Sequence, residues 1–360
     1  MDEKLHKKLT DRIEKGTLRS LSSFEGMVDF FSNDYLGLSK VHLEGTDGLH
    51  GGTGSRLISG TSKRMLEVEK GFADFFQSEA ALHFNSGYDA NIGFFSAVPQ
   101  RGDTVLYDAL IHASIRDGIR LSLANAYAFK HNDVDDLKEK LSKTSGTVYV
   151  VVESLYSMDG DIAPLEAIAE LVGGNVFLVV DEAHACGVYG ESGKGLIDSY
   201  GLNSAVFARI VTFGKAYGSH GAVILGSRDL ITYLLNFARS FIYTTALPES
   251  VFERNLAVAL MDKSTQLERL KTNLKIFRNA LAQLDSKAFV LVSDISSPIQ
   301  ILQFSSIQET RRKAELLQEA GFAVKPIYSP TVPEGQERIR VCIHAFNTQE
   351  EVVQLVALLQ

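Results

Sequence analysis

Residues 176–187 read VFLVVDEAHACG, and residues 208–222 read ARIVTFGKAYGSHGA. Each is a short apolar run that stops at a charged residue and passes into small residues. The first stops at Asp181-Glu182, the second at Gly214-Lys215. Runs so evenly apolar belong to strands covered on both faces, which are the strands of parallel sheets. Four more runs have the same look: AALHF (80–84), TVLYD (104–108), TVYVVVES (147–154) and AVILG (222–226). Helical patterns lie near 112–123, 133–142 and 164–172, and a longer one over 62–77 behind Thr61-Ser62. The alternation predicts an α/β architecture with a largely parallel sheet flanked by helices. In such sheets ligands collect at the carboxyl ends of the strands, so the residues just past each run are the candidates for chemistry.

Working outward, residues 3–15 read as a mostly polar helix, Gly26–Phe31 as a strand-like pair, and 32–39 as a turn-rich stretch. The last third reads as a smaller α/β unit. It opens on a long helical segment over 248–284, followed by strands near 288–292 and 298–304 and a helix at 308–320. Strands at 322–326 and 338–343 and a closing helix from 348 complete it. The expected division is an N-terminal segment 1–40, a large domain 41–247 and a small domain 248–360.

Bulk properties narrow the function. The 360 residues carry a formal charge of −8, with 45% hydrophobic and 22% charged residues. An acidic balance gives no reason to expect nucleic-acid binding. No apolar run approaches the ~20 residues that span a bilayer. The start, MDEKLHKKLTDRIEKG, has no apolar core of a signal peptide, and two cysteines, Cys186 and Cys342, make no disulfide framework, so the expectation is a cytoplasmic protein. His184, Cys186 and His131 stand at no metal-ligand spacing, so no metal is expected.

At the strand ends, Asp181 serves equally as a cap of the turn that follows or as the partner of a cationic ring nitrogen. Lys215, between an apolar strand and a Gly-rich turn, is placed for a partly desolvated crevice, where an amine that forms an imine is favoured over a solvated ammonium. Asn85-Ser86-Gly87-Tyr88 follows a strand and opens a helix, which suits a phosphate. By themselves His112 reads as a loop histidine and Ser157 as ambiguous. GGTGSRLISG (51–60) matches neither a P-loop nor a dinucleotide fingerprint.

Together these segments resemble the α-oxoamine synthases, fold-type I pyridoxal-phosphate enzymes. The resemblance runs in order through FSNDYLGLS (31–39), GTGSRLISG (52–60), FNSGYDAN (84–91), IHASIRDG (111–118) and ESLYSMDGDIAPL (153–165). It continues through DEAHACGVYGESGKG (181–195), TFGKAYGSHGA (212–222) and YTTALP (243–248). It implies a large cofactor domain, a smaller C-terminal domain and decarboxylative condensation of an amino acid with an acyl-CoA. FKHNDVDDL (129–137) and SPTVP (329–333) resemble the branch that joins alanine to a pimeloyl thioester in biotin synthesis. The competing branches are the 2-amino-3-ketobutyrate CoA ligases, serine palmitoyltransferases and 5-aminolevulinate synthases. A binding protein that kept the fold without the chemistry, or a nucleotide-binding α/β protein, would be a different class.

By position, the resemblance makes Lys215 the lysine that carries pyridoxal phosphate as a Schiff base, Asp181 the partner of the ring nitrogen and His112 the histidine on the ring. His184 falls to the 3′-oxygen, and Ser157, Thr212, Gly87 and Tyr88 to other cofactor contacts. Thr244 or Thr245 would reach the phosphate of a partner subunit in a homodimer. Arg340, within ERIR (337–340), which otherwise reads as an ordinary strand arginine, would bind the amino-acid carboxylate. Arg19 and Thr331 would touch substrate. Tyr217 stands where the family has a smaller or apolar residue, and is expected to reshape the acyl channel.

Overall fold

The computed structural model describes residues 2–14, 17–43, 49–284, 289–329 and 331–360. Lys15, Ala288 and Pro330, which fall in the expected first helix, the strand near 288–292 and SPTVP, lie outside the described residues. Among those described, the strands are β1 (Val28–Asp29), β2 (Ala80–Phe84), β3 (Thr104–Asp108), β4 (Asn125–Phe129), β5 (Val148–Glu153), β6 (Val176–Asp181) and β7 (Val206–Thr212). Next come β8 (Ala222–Gly226), β9 (Phe289–Leu291), β10 (Ile299–Phe304), β11 (Phe322–Ala323), β12 (Lys325–Ile327) and β13 (Arg338–Cys342).

The chain folds into two compact units. One comprises residues 33–157 and 161–270, the other residues up to 32, 158–160 and 271–360. These limits differ from the boundaries at 40 and 247 expected from sequence, and pairing explains why. Strand β1 runs parallel to β11, with Val28 opposite Phe322, so the first residues join the last ninety rather than the large sheet.

In the larger unit seven strands form one sheet in the order β2-β8-β7-β6-β5-β3-β4. It is parallel except for β8, which runs antiparallel to both β7 and β2. The link from β7 to β8 is only residues 213–221, too short for the dozen or more that a parallel crossover needs. All six residues of β5 are buried, as its apolar run requires. The helix Gly87–Ala97 packs on the helix Ala113–Leu121 so closely that a Cβ on Gly118 would come within 2.8 Å of Phe95 Cβ. Phe94, Phe95, Ile115, Val151, Val179 and Ile210 belong to the core beneath them.

The helix Lys63–Phe75 starts where the sequence placed it, with the Ser62 hydroxyl accepting from the Met65 amide at 3.2 Å. The helical stretch 248–284 is corrected to two helices, Glu249–Leu260 and Ser264–Ala282. At the break Met261 is extended, the Lys263 ammonium donates to the carbonyls of Val258, Ala259 and Met261, and Asp262 accepts the Ser264 amide.

The smaller unit holds an antiparallel sheet in the order β12-β13-β10-β9. The single strand expected over 322–326 is two: β11 pairs with β1, while β12 pairs with β13. Pro326, which has no N–H to give, sits in β12 at the sheet edge. Ile301, Ile339, Val341, Leu317 and Leu355 are fully buried and form its interior. No helix among the described residues is long and apolar enough to cross a membrane.

Candidate active site

The parallel strands of the larger unit all deliver their last residues to one end of the sheet. There the structure encloses a cavity of about 350 Å³ lined by Lys215, Asp181, His112, His184, Thr212 and Gly87. Tyr88 and Glu153 also line it.

Asp181 ends β6 and is almost fully buried. Its Oδ2 accepts from the Asn91 amide nitrogen at 2.9 Å, and its Oδ1 accepts from the Ala183 N–H at 2.9 Å. The second bond is the turn cap that the sequence allowed. Asn91 also donates to the Ser114 hydroxyl at 3.0 Å. Directly across from Asp181 in the register, Glu153 ends β5. Burial first, and the neighbouring Asp181 second, push the Glu153 carboxyl well above the usual carboxylate range. It takes a hydrogen bond from the His112 backbone N–H, and its Oε1 is buried with no partner among the described residues.

His112 caps the helix Ala113–Leu121: its Nδ1 accepts from the Ser114 N–H at 3.2 Å and lies 2.7 Å from the Ser114 hydroxyl. Burial lowers its pKa, Asp181 opposes, and Lys215 lowers it further, so the balance favours the neutral ring. His184 has its Nδ1 2.7 Å from the Tyr35 hydroxyl, which donates to Asn33 at 3.2 Å. The short Tyr35 contact holds the His184 ring in place. Lys215 sits in the tight link between β7 and β8, which is closed by Phe213 N–H to Gly221 O at 2.9 Å and Gly218 N–H to Lys215 O at 2.8 Å. Thr212 ends β7, with its hydroxyl buried and without a partner among the described residues. A Cβ on Gly87 would meet Thr212 Cγ2 at 2.5 Å, so only glycine fits at the start of that helix.

Other expected residues lie elsewhere. Ser157 belongs to this unit but does not line the cavity. Thr244 and Thr245 are fastened by Asn85, whose amide donates to Thr244 Oγ1 at 3.1 Å and to the Thr245 carbonyl at 2.8 Å. Arg340, Arg19 and Thr331 belong to the smaller unit. There Arg340 is buried on β13 and donates to the Phe31 carbonyl at 3.4 Å, while Arg19 and Thr331 are exposed. Tyr217 is fully buried against Phe213, its hydroxyl donates to the Gly193 carbonyl at 3.0 Å, and it does not line this cavity.

Sequence reasoning missed Asn33, Tyr35, Asn91, Ser114 and Glu153. Glu153 was within reach, because an acid ending an apolar strand is the same signal that marked Asp181.

A family model for class I and II aminotransferases matches residues 25–359. The chain belongs to this family. Within it the chain groups with the α-oxoamine synthases, as its ordered segments implied. It is 41% identical to an 8-amino-7-oxononanoate synthase of Emericella nidulans over 97% of this chain and 93% of that one. It is 38% identical to an 8-amino-7-oxononanoate synthase of Methylococcus capsulatus over 90% and 86% of the two chains. Among solved structures, a serine palmitoyltransferase of Sphingomonas wittichii superposes with a TM-score of 0.89 at 26% identity, over 99% and 95% of the two chains. An 8-amino-7-oxononanoate synthase of Francisella tularensis superposes with a TM-score of 0.79 at 31% identity, over 93% and 97%. The fold is thus that of the fold-type I pyridoxal-phosphate enzymes.

Proposed function

We propose that this enzyme condenses L-alanine with pimeloyl-CoA, with loss of carbon dioxide and CoA, to give 8-amino-7-oxononanoate for biotin synthesis. Its cofactor is pyridoxal phosphate. The observation that carries the reading is the convergence of Lys215, Asp181, His112 and His184 on one cavity, in a chain 41% identical to an 8-amino-7-oxononanoate synthase. The cavity suits the cofactor on its own terms. It offers a buried acid for a ring nitrogen, an amine, a helix N-terminus for a phosphate and the Thr212 hydroxyl, which has no partner among the described residues.

When bound, pyridoxal phosphate supplies an electron sink for negative charge at the amino-acid Cα. Lys215 would anchor the cofactor covalently, and its Nζ would be the base placed at the amino-acid Cα. Asp181 would keep a proton on the ring nitrogen, and Asn91 and the Ala183 N–H hold its carboxylate in place. A neutral His112 serves an electron-poor ring without adding a like charge. His184, held in place by Tyr35, serves the 3′-oxygen, and the N–H groups at Gly87 and Tyr88 serve the phosphate. Arg340 keeps the proposed role of holding the amino-acid carboxylate, which a planar guanidinium grips through two bonds. Arg19 and Thr331 are proposed substrate contacts, Ser157 and Thr245 cofactor contacts, with a homodimer in the cytoplasm as the working form.

Serine palmitoyltransferase chemistry is the second reading, favoured by the 0.89 superposition. The test is the visible spectrum of the protein loaded with pyridoxal phosphate, titrated separately with L-alanine, glycine and L-serine. A band that shifts with L-alanine alone supports the proposal. A shift with L-serine alone moves the enzyme to the second reading, and no band at all overturns both.

A further inference from the structure

Beside the cavity, at the ends of β3 and β4, lies a cluster that the reaction above does not use. The His131 ring stands between two carboxylates, with Nδ1 2.8 Å from Asp108 Oδ1 and Nε2 2.7 Å from Asp161 Oδ2. Asp108 is completely buried. Its Oδ1 also accepts from the Leu110 N–H at 2.8 Å and its Oδ2 from the Asn132 N–H at 2.8 Å. Two residues past Leu110 comes His112, whose own N–H is held by Glu153. On the other side, Asp161 takes a second hydrogen bond from the Asn132 side chain at 2.8 Å. The Asp161 carbonyl accepts the Tyr156 N–H at 3.0 Å, and Leu155 bridges to Ile162, closing the loop that contains Ser157. Tyr156 stands edge-on to the imidazole, 4.5 Å between centroids. Asn132 adopts a left-handed backbone (φ 53°), a strained turn that presents His131 to both acids.

We propose that His131 is a positioning residue of the cofactor site: by gripping Asp108 and Asp161 at once, it fixes the turn that carries His112 against the loop that carries Ser157. This rests on the functional reading above. The geometry favours a proton on each ring nitrogen, because a neutral imidazole has one N–H and its bare nitrogen would face a carboxylate; the Asn132 side-chain nitrogen also lies 3.4 Å from Nε2. The two carboxylate hydrogen bonds outweigh burial and carry the ring up to about 10. The titratable groups facing it are Asp108, Asp161 and the Tyr156 phenol. His131 does not line the cavity, so its effect travels through the two loops.

The test begins without cofactor. Long-range proton–nitrogen spectra of ¹⁵N-histidine-labelled protein should show both His131 ring nitrogens protonated at pH 7.5. A single N–H there overturns the proposal, whatever the cofactor does. Next, H131Q and H131Q/D161N are compared with wild type for thermal midpoint and for the dissociation constant of pyridoxal phosphate. H131Q should melt earlier and bind the cofactor about tenfold more weakly, the scale of one or two lost hydrogen bonds. In the double variant, removing one of the two facing carboxylates should restore much of the midpoint while cofactor binding stays weak. If cofactor affinity returns together with the midpoint, or never falls, the role is stability alone and the proposal fails. A wild type without a visible band would instead overturn the functional reading, and the ring-nitrogen spectrum would still decide whether His131 grips both acids.

Discussion

Two histidines follow neighbouring strands of the same sheet and end in opposite states. His112, just past β3, is driven toward the neutral form by burial, with Lys215 adding to it. His131, just past β4, is desolvated too, yet is held protonated up to about 10 because Asp108 and Asp161 each take one of its ring hydrogens. The two acids of the cavity divide in a related way: Asp181 is satisfied by Asn91 and Ala183, while burial and Asp181 itself push the Glu153 carboxyl well above the usual carboxylate range. Desolvation is common to both regions, so partners, not depth, decide which groups are charged. One region is tuned to meet a ligand and the other is already closed upon itself.

The largest expected effect breaks the first region. Lys215→Ala should lower turnover by at least ~10³-fold, the scale of losing a positioned acid–base group, and abolish the visible band, by assay and spectrum together. Asp181→Asn comes next, with turnover down ~10²-fold, since an amide cannot hold a proton on a ring nitrogen. In the second region, H131Q should cost about 3 kcal/mol in denaturant unfolding at neutral pH, because it leaves the facing Asp108 and Asp161 carboxylates without the cation between them. The sign follows from a folded pKa raised above the unfolded 6.5. The stabilisation is complete below pH 6.5 and is lost as pH rises through about 10, so wild type and H131Q should converge near about pH 11. A gap that persists there breaks the comparison. Smallest should be Glu153→Gln, which keeps the shape of a carboxyl whose ionisation burial already opposes. Its turnover should stay within about threefold of wild type, with the pH profile unmoved; a large loss would mean that Glu153 works as a carboxylate.

Much of the site is legible in the sequence. Asp181 and Thr212 close apolar strands, and Lys215, Gly87 and His112 follow within a few residues, where a parallel sheet gathers its loops. What was not legible has a common cause. Asn91 lies in the second turn of a helix, Ser114 in the first turn of another, and Tyr35 far upstream in the chain, and each reaches the site by tertiary folding that leaves no periodic mark. β4, the edge strand NAYAF, is exposed over its first four residues and lacks the apolar signature of its neighbours. The break at Met261–Lys263 was hidden inside a long helical pattern, although Asp262 two residues before Ser264 is a cap signal that a closer reading could have used.

The pairing of Val28 with Phe322 bears on how the chain is made. On the ribosome, residues 33–270 can emerge and collapse around their own sheet while the rest is still being translated. The segment around β1, synthesised almost first, must wait for about three hundred further residues before its partner strand exists. Until then its backbone donors are a short unpaired edge, and pairing with β11 closes that long loop, an entropic cost that grows only slowly with its length.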